Sequence, residues 1–213
     1  LAKISNFIRK YYQDFASILD RYGSLAIRNQ ATIAGNLGTA SPIGDTLPML
    51  MVLDSKIVLE GKKKKVIPIN SFFLSYRKTK LKNGQFISKI IVPLFPKNFF
   101  FAKKVSKRWD DDISTVLIAI NAEIKGKLIK KIKIAYGGMD SKPRRALKCE
   151  KIILNSFITD KILEKAKESI DEFSPISDVR ASKKYRMIVA QNLLEKAMAE
   201  IQQKQLTEID ARN

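Results

Sequence analysis

Ile27-Arg28-Asn29-Gln30-Ala31-Thr32-Ile33-Ala34-Gly35-Asn36-Leu37-Gly38-Thr39-Ala40-Ser41-Pro42-Ile43-Gly44-Asp45 is the stretch around which this 213-residue chain is organised. It is rich in Gly, Ala, Ser, Thr and Asn. It holds none of the chain's thirty lysines, and strongly apolar segments flank it. That composition predicts a buried or ligand-facing loop. Gly35, Gly38 and Gly44 can take φ > 0, and small residues let backbone approach a ligand closely. Successive N–H groups in such a loop make a concavity suited to phosphate or a polar ring edge. Thr32, Asn36, Thr39, Ser41 and Asp45 add short polar groups. On composition alone, a tight connection between strand and helix remains the competing reading.

Upstream, Ile4, Ile8, Tyr11, Phe15, Ile18, Leu19 and Tyr22 recur at spacings of three and four, which predicts one amphipathic helix over 4–22, ended by Gly23. Downstream, Pro48 opens a short helix at 49–53. Lys56–Glu60 and Val66–Ile69 read as strands joined by a tip at Lys62-Lys63-Lys64-Lys65. Residues 70–76 read as a helical turn, and 85–93 as a strand. Pro93 and Pro96 mark a boundary. Strands follow at 99–104, 116–124 and 128–135, the last two joined by Lys125-Gly126-Lys127. Helices are expected from Pro143 through Leu154, over 160–173 and from Ser182 to about Gln203. Residues 204–213 read as a polar, frayed tail.

The chain has one cysteine, Cys149, and no histidine. These counts exclude an intrachain disulfide, a Cys/His zinc site, an iron–sulfur cluster held by this chain alone, and Ser-His-Asp or Cys-His hydrolysis. Any chemistry here would rest on an organic cofactor. No apolar run approaches the roughly 18 residues of a membrane span, and no signal peptide is evident. The chain begins with Leu1, so it reads as processed or as part of something longer. A cytoplasmic setting is expected. The net charge is +19. Because the lysines are spread along the chain, this reads as a solvated basic surface, or one that meets an acidic partner, in preference to a nucleic-acid interface. Asp110-Asp111-Asp112 could be a metal or phosphate device; with no other ligand type at a sensible spacing, the reading is capping of nearby N–H groups. Tyr136-Gly137-Gly138-Met139 is read as a structural turn.

Arg28-Asn29-x-Ala31-Thr32-Ile33-x-Gly35-Asn36-Leu37 followed by Ala40-Ser41-Pro42-Ile43-x-Asp45 resembles the second half of the FAD-binding domain of xanthine dehydrogenase and related molybdenum hydroxylases. Ala34 stands where many relatives carry Gly. Lys104-Val105-Ser106-Lys107-Arg108 with Asp110-Asp111-Asp112-Ile113 resembles the loop beside the flavin in the same family, and Ser177-Asp178-Val179-Arg180 with Tyr185-Arg186 adds to the likeness. The resemblance implies an α+β fold. It consists of the second lobe of a flavin-binding α/β domain over 1–95, then a small domain of three antiparallel strands and a helical bundle over 96–203. The family's earlier glycine-containing segment, which grips the FAD diphosphate, is not found in this sequence.

What the resemblance implies about function is therefore half a site. Thr32, Ile33, Ala34, Gly35 and Asn36 would contact FAD. Asp45 would accept hydrogen bonds from flavin or ribityl groups, Ile87 would pack on the isoalloxazine, Lys104 would place positive charge near the ring and favour its reduced form, and Tyr22 would add an aromatic contact. In this family a molybdenum cofactor and iron–sulfur clusters on partner subunits or domains feed electrons to FAD, which passes them to NAD. The expected function is that electron-transfer component, most simply of xanthine dehydrogenase. The alternatives are a sister enzyme (carbon monoxide dehydrogenase, an aldehyde oxidoreductase or an aromatic-CoA reductase) or a non-catalytic piece docked on partner subunits.

Overall fold

A computed structural model describes residues 1–210, with side chains through Lys204. Its elements are α1 (Ala2–Arg9), α2 (Gln13–Asp20), α3 (Leu25–Gln30), α4 (Ile33–Thr39) and α5 (Leu47–Val52). Strands β1 (Lys56–Glu60), β2 (Lys65–Pro68), β3 (Phe73–Ser75), β4 (Lys78–Thr79) and β5 (Phe86–Ile91) follow. The second half holds β6 (Phe99–Val105), β7 (Val116–Lys125), β8 (Leu128–Gly137), β9 (Arg144–Arg145), α6 (Leu147–Ile153), α7 (Asp160–Glu168) and α8 (Lys183–Asp210). The architecture is α+β, with an antiparallel sheet region and helices, as expected. The sheets run β2-β1-β5, β3-β4 and β6-β7-β8-β9, all antiparallel. The lysine run sits at the β1–β2 tip, as its flanking alternation predicts.

The four-stranded sheet is the centre of the molecule because both of its faces are apolar. Along β7, Val116, Ile118 and Ile120 face one core, shared with α6, α7 and α8. Leu117 and Ala119 face the other, shared with α2, α4 and α5. The period of two in a strand makes this division. Ala102, Ala119 and Ala135 lie in register across β6, β7 and β8 on the second face, and their small side chains leave room for α5, which packs on β7 and β8. Tyr12 straps the segment between the halves: its hydroxyl donates to the Pro93 carbonyl at 3.1 Å and accepts from the Phe95 N–H at 2.9 Å.

Four expectations need correction. The helix over 4–22 is two helices, because the chain breaks at 10–12 to turn Tyr12 inward; Tyr12 is 5% exposed while Tyr11 stays at the surface. The small-residue stretch is mainly helix. Thr32 caps α4 by accepting the Gly35 N–H at 2.9 Å, and α4 ends with Ala40 in the left-handed region at φ 45°. Gly35, Gly38 and Gly44 do not have positive φ. The sheet of the second half has four strands, since Arg144–Arg145 pairs with Ala135–Tyr136. Finally, α8 continues to Asp210, so the expected tail is helical that far, and 211–213 lie outside the described residues. Two smaller differences are a 3-10 turn at Ile69–Ser71 followed by β3, and a 3-10 turn at Ser169–Glu172 closing the helix expected to reach 173.

Candidate functional site

Where the sheet meets the core it shares with α2, α4 and α5, β6 carries a lysine on its apolar face. Alternation places Phe100, Ala102 and Lys104 together, and the Lys104 side chain is 1% exposed. A buried ammonium must spend all three of its N–H donors. Lys104 donates to Asp45 Oδ2 at 2.7 Å, to the Asp112 carbonyl at 2.8 Å and to the Arg21 carbonyl at 3.3 Å. Asp45 comes from the tight turn between α4 and α5, and its Oδ1 accepts from the buried Ser114 hydroxyl. Burial pushes the Asp45 carboxyl above the ordinary aspartate range; Lys104, the Ser114 hydroxyl and Arg21 pull the other way.

Beside this pair, Asn36 is buried on α4 and both ends of its amide are engaged. Oδ1 accepts from the Thr46 hydroxyl at 2.6 Å and the Thr46 N–H at 3.2 Å, and Nδ2 donates to the Tyr22 hydroxyl at 3.2 Å. Tyr22 is half-buried. Burial, and then the Asp45 carboxylate, raise its phenol above the usual value, against the opposing Asn36 bond, so it stays protonated near neutrality. Accepting from Asn36 leaves its own hydrogen as a donor.

A loop folds over the outside. The Arg21 guanidinium lies 3.9 Å from the Trp109 ring centroid and donates to the Trp109 carbonyl at 2.9 Å. Asp112 accepts the N–H groups of Arg108 and Ile113 at 2.8 and 2.9 Å, so it caps the loop backbone, as the aspartate run predicts. The Arg108 N–H is the main reason the Asp112 carboxyl lies below its ordinary range. Among the described residues, no group of three Cys, Asp or Glu could hold a metal ion. The Tyr136-Gly137-Gly138-Met139 segment locks the same region. The Gly138 N–H donates to the Pro42 carbonyl at 2.8 Å, and a Cβ on Gly138, at φ 81°, would lie 2.2 Å from the Thr115 carbonyl oxygen.

The structure thus brings Tyr22, Asn36, Asp45 and Lys104 into one hydrogen-bonded and electrostatic cluster. Thr32, Ile33, Ala34 and Gly35 lie one turn earlier on the helix that carries Asn36. Ile87 lies on β5, which packs against that helix. A bulge at Ser88 decides its direction. Ser88 has no partner on β1, its hydroxyl donates to the Val58 carbonyl at 3.3 Å, and the phase shift sends both Ile87 and Ile90 to the core. Arg21, Thr46 and Ser114 were not singled out from sequence. Arg21 and Thr46 adjoin residues that were, but nothing in their spacing marks them.

The cluster fits a flavin in one respect and limits it in another. Gly35 is exposed, and a Cβ there would meet only Thr32 Oγ1, at 3.1 Å, so the first turn of α4 offers bare backbone to a ligand. Lys104 and Asp45 are committed to each other, so Lys104 can reach a flavin by field and not by a hydrogen bond, with its charge largely offset by its partner.

These features define an α+β protein with a buried polar cluster at the junction of two cores. Residues 1–95 match the FAD-binding domain in molybdopterin dehydrogenase, and residues 101–201 match the CO dehydrogenase flavoprotein C-terminal domain. The chain belongs to this oxidoreductase flavoprotein family. It is 30% identical over 181 residues to the glyceraldehyde dehydrogenase medium chain of Sulfolobus acidocaldarius, covering 84% of this chain and 64% of that one. It is 38% identical over 135 residues to a xanthine dehydrogenase of Blastobotrys adeninivorans, covering 60% of this chain and 10% of that one. The fold matches a chain of carbon monoxide dehydrogenase from Hydrogenophaga pseudoflava with a TM-score of 0.87 at 21% identity, covering 92% of this chain and 70% of that one. The chain therefore spans less than two thirds of these curated relatives. Among the described residues no helix is long and apolar enough to cross a membrane.

Proposed function

We propose that this chain is the FAD-binding, electron-transfer part of a molybdenum hydroxylase whose molybdenum cofactor and iron–sulfur clusters lie on partner subunits or domains. The observation that carries the reading is the joint between the two matched parts. The Asp45–Lys104 pair and Asn36 are buried, Tyr22 stands half-buried beside them, and the bare first turn of α4 opens next to this cluster. Bound FAD would supply hydride and single-electron transfer. Thr32, Ile33, Ala34 and Gly35 would present backbone to it, Asn36 would hold Tyr22, Tyr22 would offer a ring face and a hydroxyl, and Ile87 would pad the pocket. Asp45 and Lys104 would fix the turn that carries Arg21 and the loop that carries Trp109 beside the site. In this reading the chain falls into the units 1–95 and 96–203 with a C-terminal extension, sits in the cytoplasm, and holds the cofactor weakly until a further lobe completes the site.

Among enzymes of this class, a sister of xanthine dehydrogenase built from separate subunits is favoured. The glyceraldehyde dehydrogenase medium chain is matched over 64% of its own length, whereas xanthine dehydrogenases, matched over as much as 82% of this chain, are matched over only 10–14% of theirs. The xanthine dehydrogenase reading, with NAD as acceptor, rests on the 38% identity of the match over 135 residues. FAD titration of the purified chain tests the function, followed by heat release and identification of the flavin. Weak, saturable FAD binding is expected. Ala34→Glu should abolish it while leaving Tm unchanged, because a carboxylate suits the first turn of a helix and repels an anionic ligand. A folded chain that binds no FAD at millimolar concentration would refute cofactor binding by this chain and leave the docking-piece reading.

A further inference from the structure

The basic excess of this chain is gathered in one place. Residues 55–109 hold fifteen Lys or Arg and a single carboxylate, Glu60, so about a quarter of the chain carries fourteen of the nineteen excess positive charges. The fold concentrates part of this further. The β1–β2 tip touches the turn between β4 and β5: a Cβ on Gly61 would lie 2.7 Å from the Gly84 carbonyl oxygen. That contact brings Lys62–Lys65 beside Lys80 and Lys82, all six exposed. None of the six forms an ion pair with a described carboxylate. Lysine on an edge strand can serve only to keep that edge from pairing, but of these six Lys65 alone lies in a strand. Like charges so placed repel one another at a cost to the folded chain. Next to the tip, the sheet β2-β1-β5 has a bare face. Its inner face sends Ile57, Leu59, Ile67, Ile87 and Ile90 into the core shared with α2, α4 and α5. On the outer face Val66, Val58 and Lys89 lie in register, and Phe86 stands opposite Glu60. Val66 is 53% exposed and Phe86 59%.

We propose that this tip and outer face seat an acidic partner subunit, which brings carboxylates to the lysines and apolar side chains to Val66 and Phe86. That the partner is a subunit of one complex rests on the proposed function. An apolar centre with a charged rim is the anatomy of a protein–protein interface, and opposite charge across it steers docking and fixes register. Nucleic acid fits less well. Phosphate offers no apolar counterpart to Val66 and Phe86, and the tip lacks arginine, whose planar fork suits paired phosphate oxygens. An anionic bilayer also fits less well, because interfacial anchoring needs a continuous apolar face, and this one interleaves its apolar side chains with Glu60 and Lys89. A second copy of this chain brings the same positive charge, +19, and is repelled.

Fluorescein-labelled poly-L-glutamate and poly(Glu,Tyr) serve as probes, titrated at low salt against the full chain. Both should bind, more weakly as salt rises, with poly(Glu,Tyr) about tenfold tighter for its added apolar contact. Lys62→Glu, Lys63→Glu and Lys64→Glu together should weaken both by about tenfold or more. Lys125→Glu, Lys127→Glu and Lys130→Glu at the β7–β8 turn make the same change in net charge and should weaken them by less than about threefold. Val66→Ser with Phe86→Ser should erase the preference for poly(Glu,Tyr) and leave poly-L-glutamate binding in place. Tm should hold in every variant, since each altered side chain is exposed. Equal losses in the two lysine variants would overturn the proposal, and so would equal affinity for the two polymers. A DNA duplex or phosphatidylserine vesicles whose binding is lost in both the lysine-tip and the Val66/Phe86 variants would overturn it in favour of that partner. FAD titration keeps this apart from the flavin reading. A chain that takes FAD without dependence on the tip sinks this proposal alone; tip dependence in a chain that takes no FAD sinks the flavin reading alone.

Discussion

The two flanks of α4 are built on opposite terms. On one, Lys104, Asp45, Ser114, Asn36, Thr46 and Tyr22 close a network in which the buried polar groups are paired. On the other, α1 and β5 leave Phe7, Tyr11, Ile91 and Leu94 exposed. The closed flank is costly to disturb and fixes the relation between the two cores. The open flank contributes little to the fold of this chain and is free to accept something else.

The contrast breaks first at Lys104. Lys104→Ala leaves a buried carboxylate with Ser114 and without its cation, a loss on the order of 3–5 kcal/mol. Thermal or urea unfolding would read it. The sign of its pH dependence is fixed. Burial already raises the Asp45 carboxyl, and Lys104 is the chief force holding it down. Removing Lys104 raises it further, so the variant is most stable with Asp45 protonated and loses stability as pH rises through that raised value. The deficit relative to wild type should shrink on acidification. A pH-independent deficit would mean that Asp45 is not the group left behind. Pairing Lys104→Met with Asp45→Leu should recover at least half the loss, because an apolar pair carries no desolvation cost.

Asn36 gives the next effect. Asn36→Ala removes the acceptor for two Thr46 donors and the donor to Tyr22 inside a buried site, at about 2 kcal/mol by the cost of orphaned groups. Asn36→Asp separates the two contacts, since a carboxylate still accepts from Thr46 but cannot donate to Tyr22. If Asn36 positions Tyr22, the aspartate variant should keep more stability than the alanine variant yet weaken FAD as much. Equal FAD affinity in wild type and N36D would show that the Tyr22 contact carries no weight.

Much of the fold was legible because periodicity reports it directly. Except for β3 and β4, which fall where a helical turn was expected or nothing was, the strands from Lys56 to Ala135 and the helices after Pro143 follow from alternation and from three- and four-residue spacing. Legibility stops where a tertiary contact overrides the local pattern. Tyr11 fits the apolar stripe of a single helix, but the structure turns Tyr12 inward for Pro93 and Phe95. Glycines at 35 and 38 suggested a loop, whereas Thr32 capping and a buried Asn36–Leu37 pair make a helix. The Ser88 bulge, which sets the direction of Ile87, leaves no trace in the alternation of β5. Within the site, Asp45 and Lys104 could be named from resemblance, 59 residues apart. That they bind each other and thereby exhaust the lysine's donors follows only from the packing.

The smallest effect lies at the edge of the closed flank, at Arg21. It faces solvent on one side and joins Trp109 and Ser106 to the turn before Tyr22. Trp109 is 74% exposed, so Arg21→Ala should cost only about 0.5–1 kcal/mol, the range for an exposed cation over an aromatic face. The informative readout is Trp109, the only tryptophan in the chain. Its emission should shift and its anisotropy fall as the loop loosens, with global Tm nearly constant. Arg21→Lys keeps the charge but loses the planar stacking and the fork of donors, so it should resemble alanine in anisotropy. If lysine restores the wild-type signal, charge alone holds the loop, and the loop then belongs with the field around Asp45 and not with stacking on Trp109. If neither variant changes the signal, Asp112 holds the loop without Arg21, through its side-chain bonds to Arg108 and Ile113 and the Lys104 bond to its carbonyl. The loop should then loosen in acid, below the ordinary aspartate range, where that lowered carboxylate takes up its proton and releases both N–H groups.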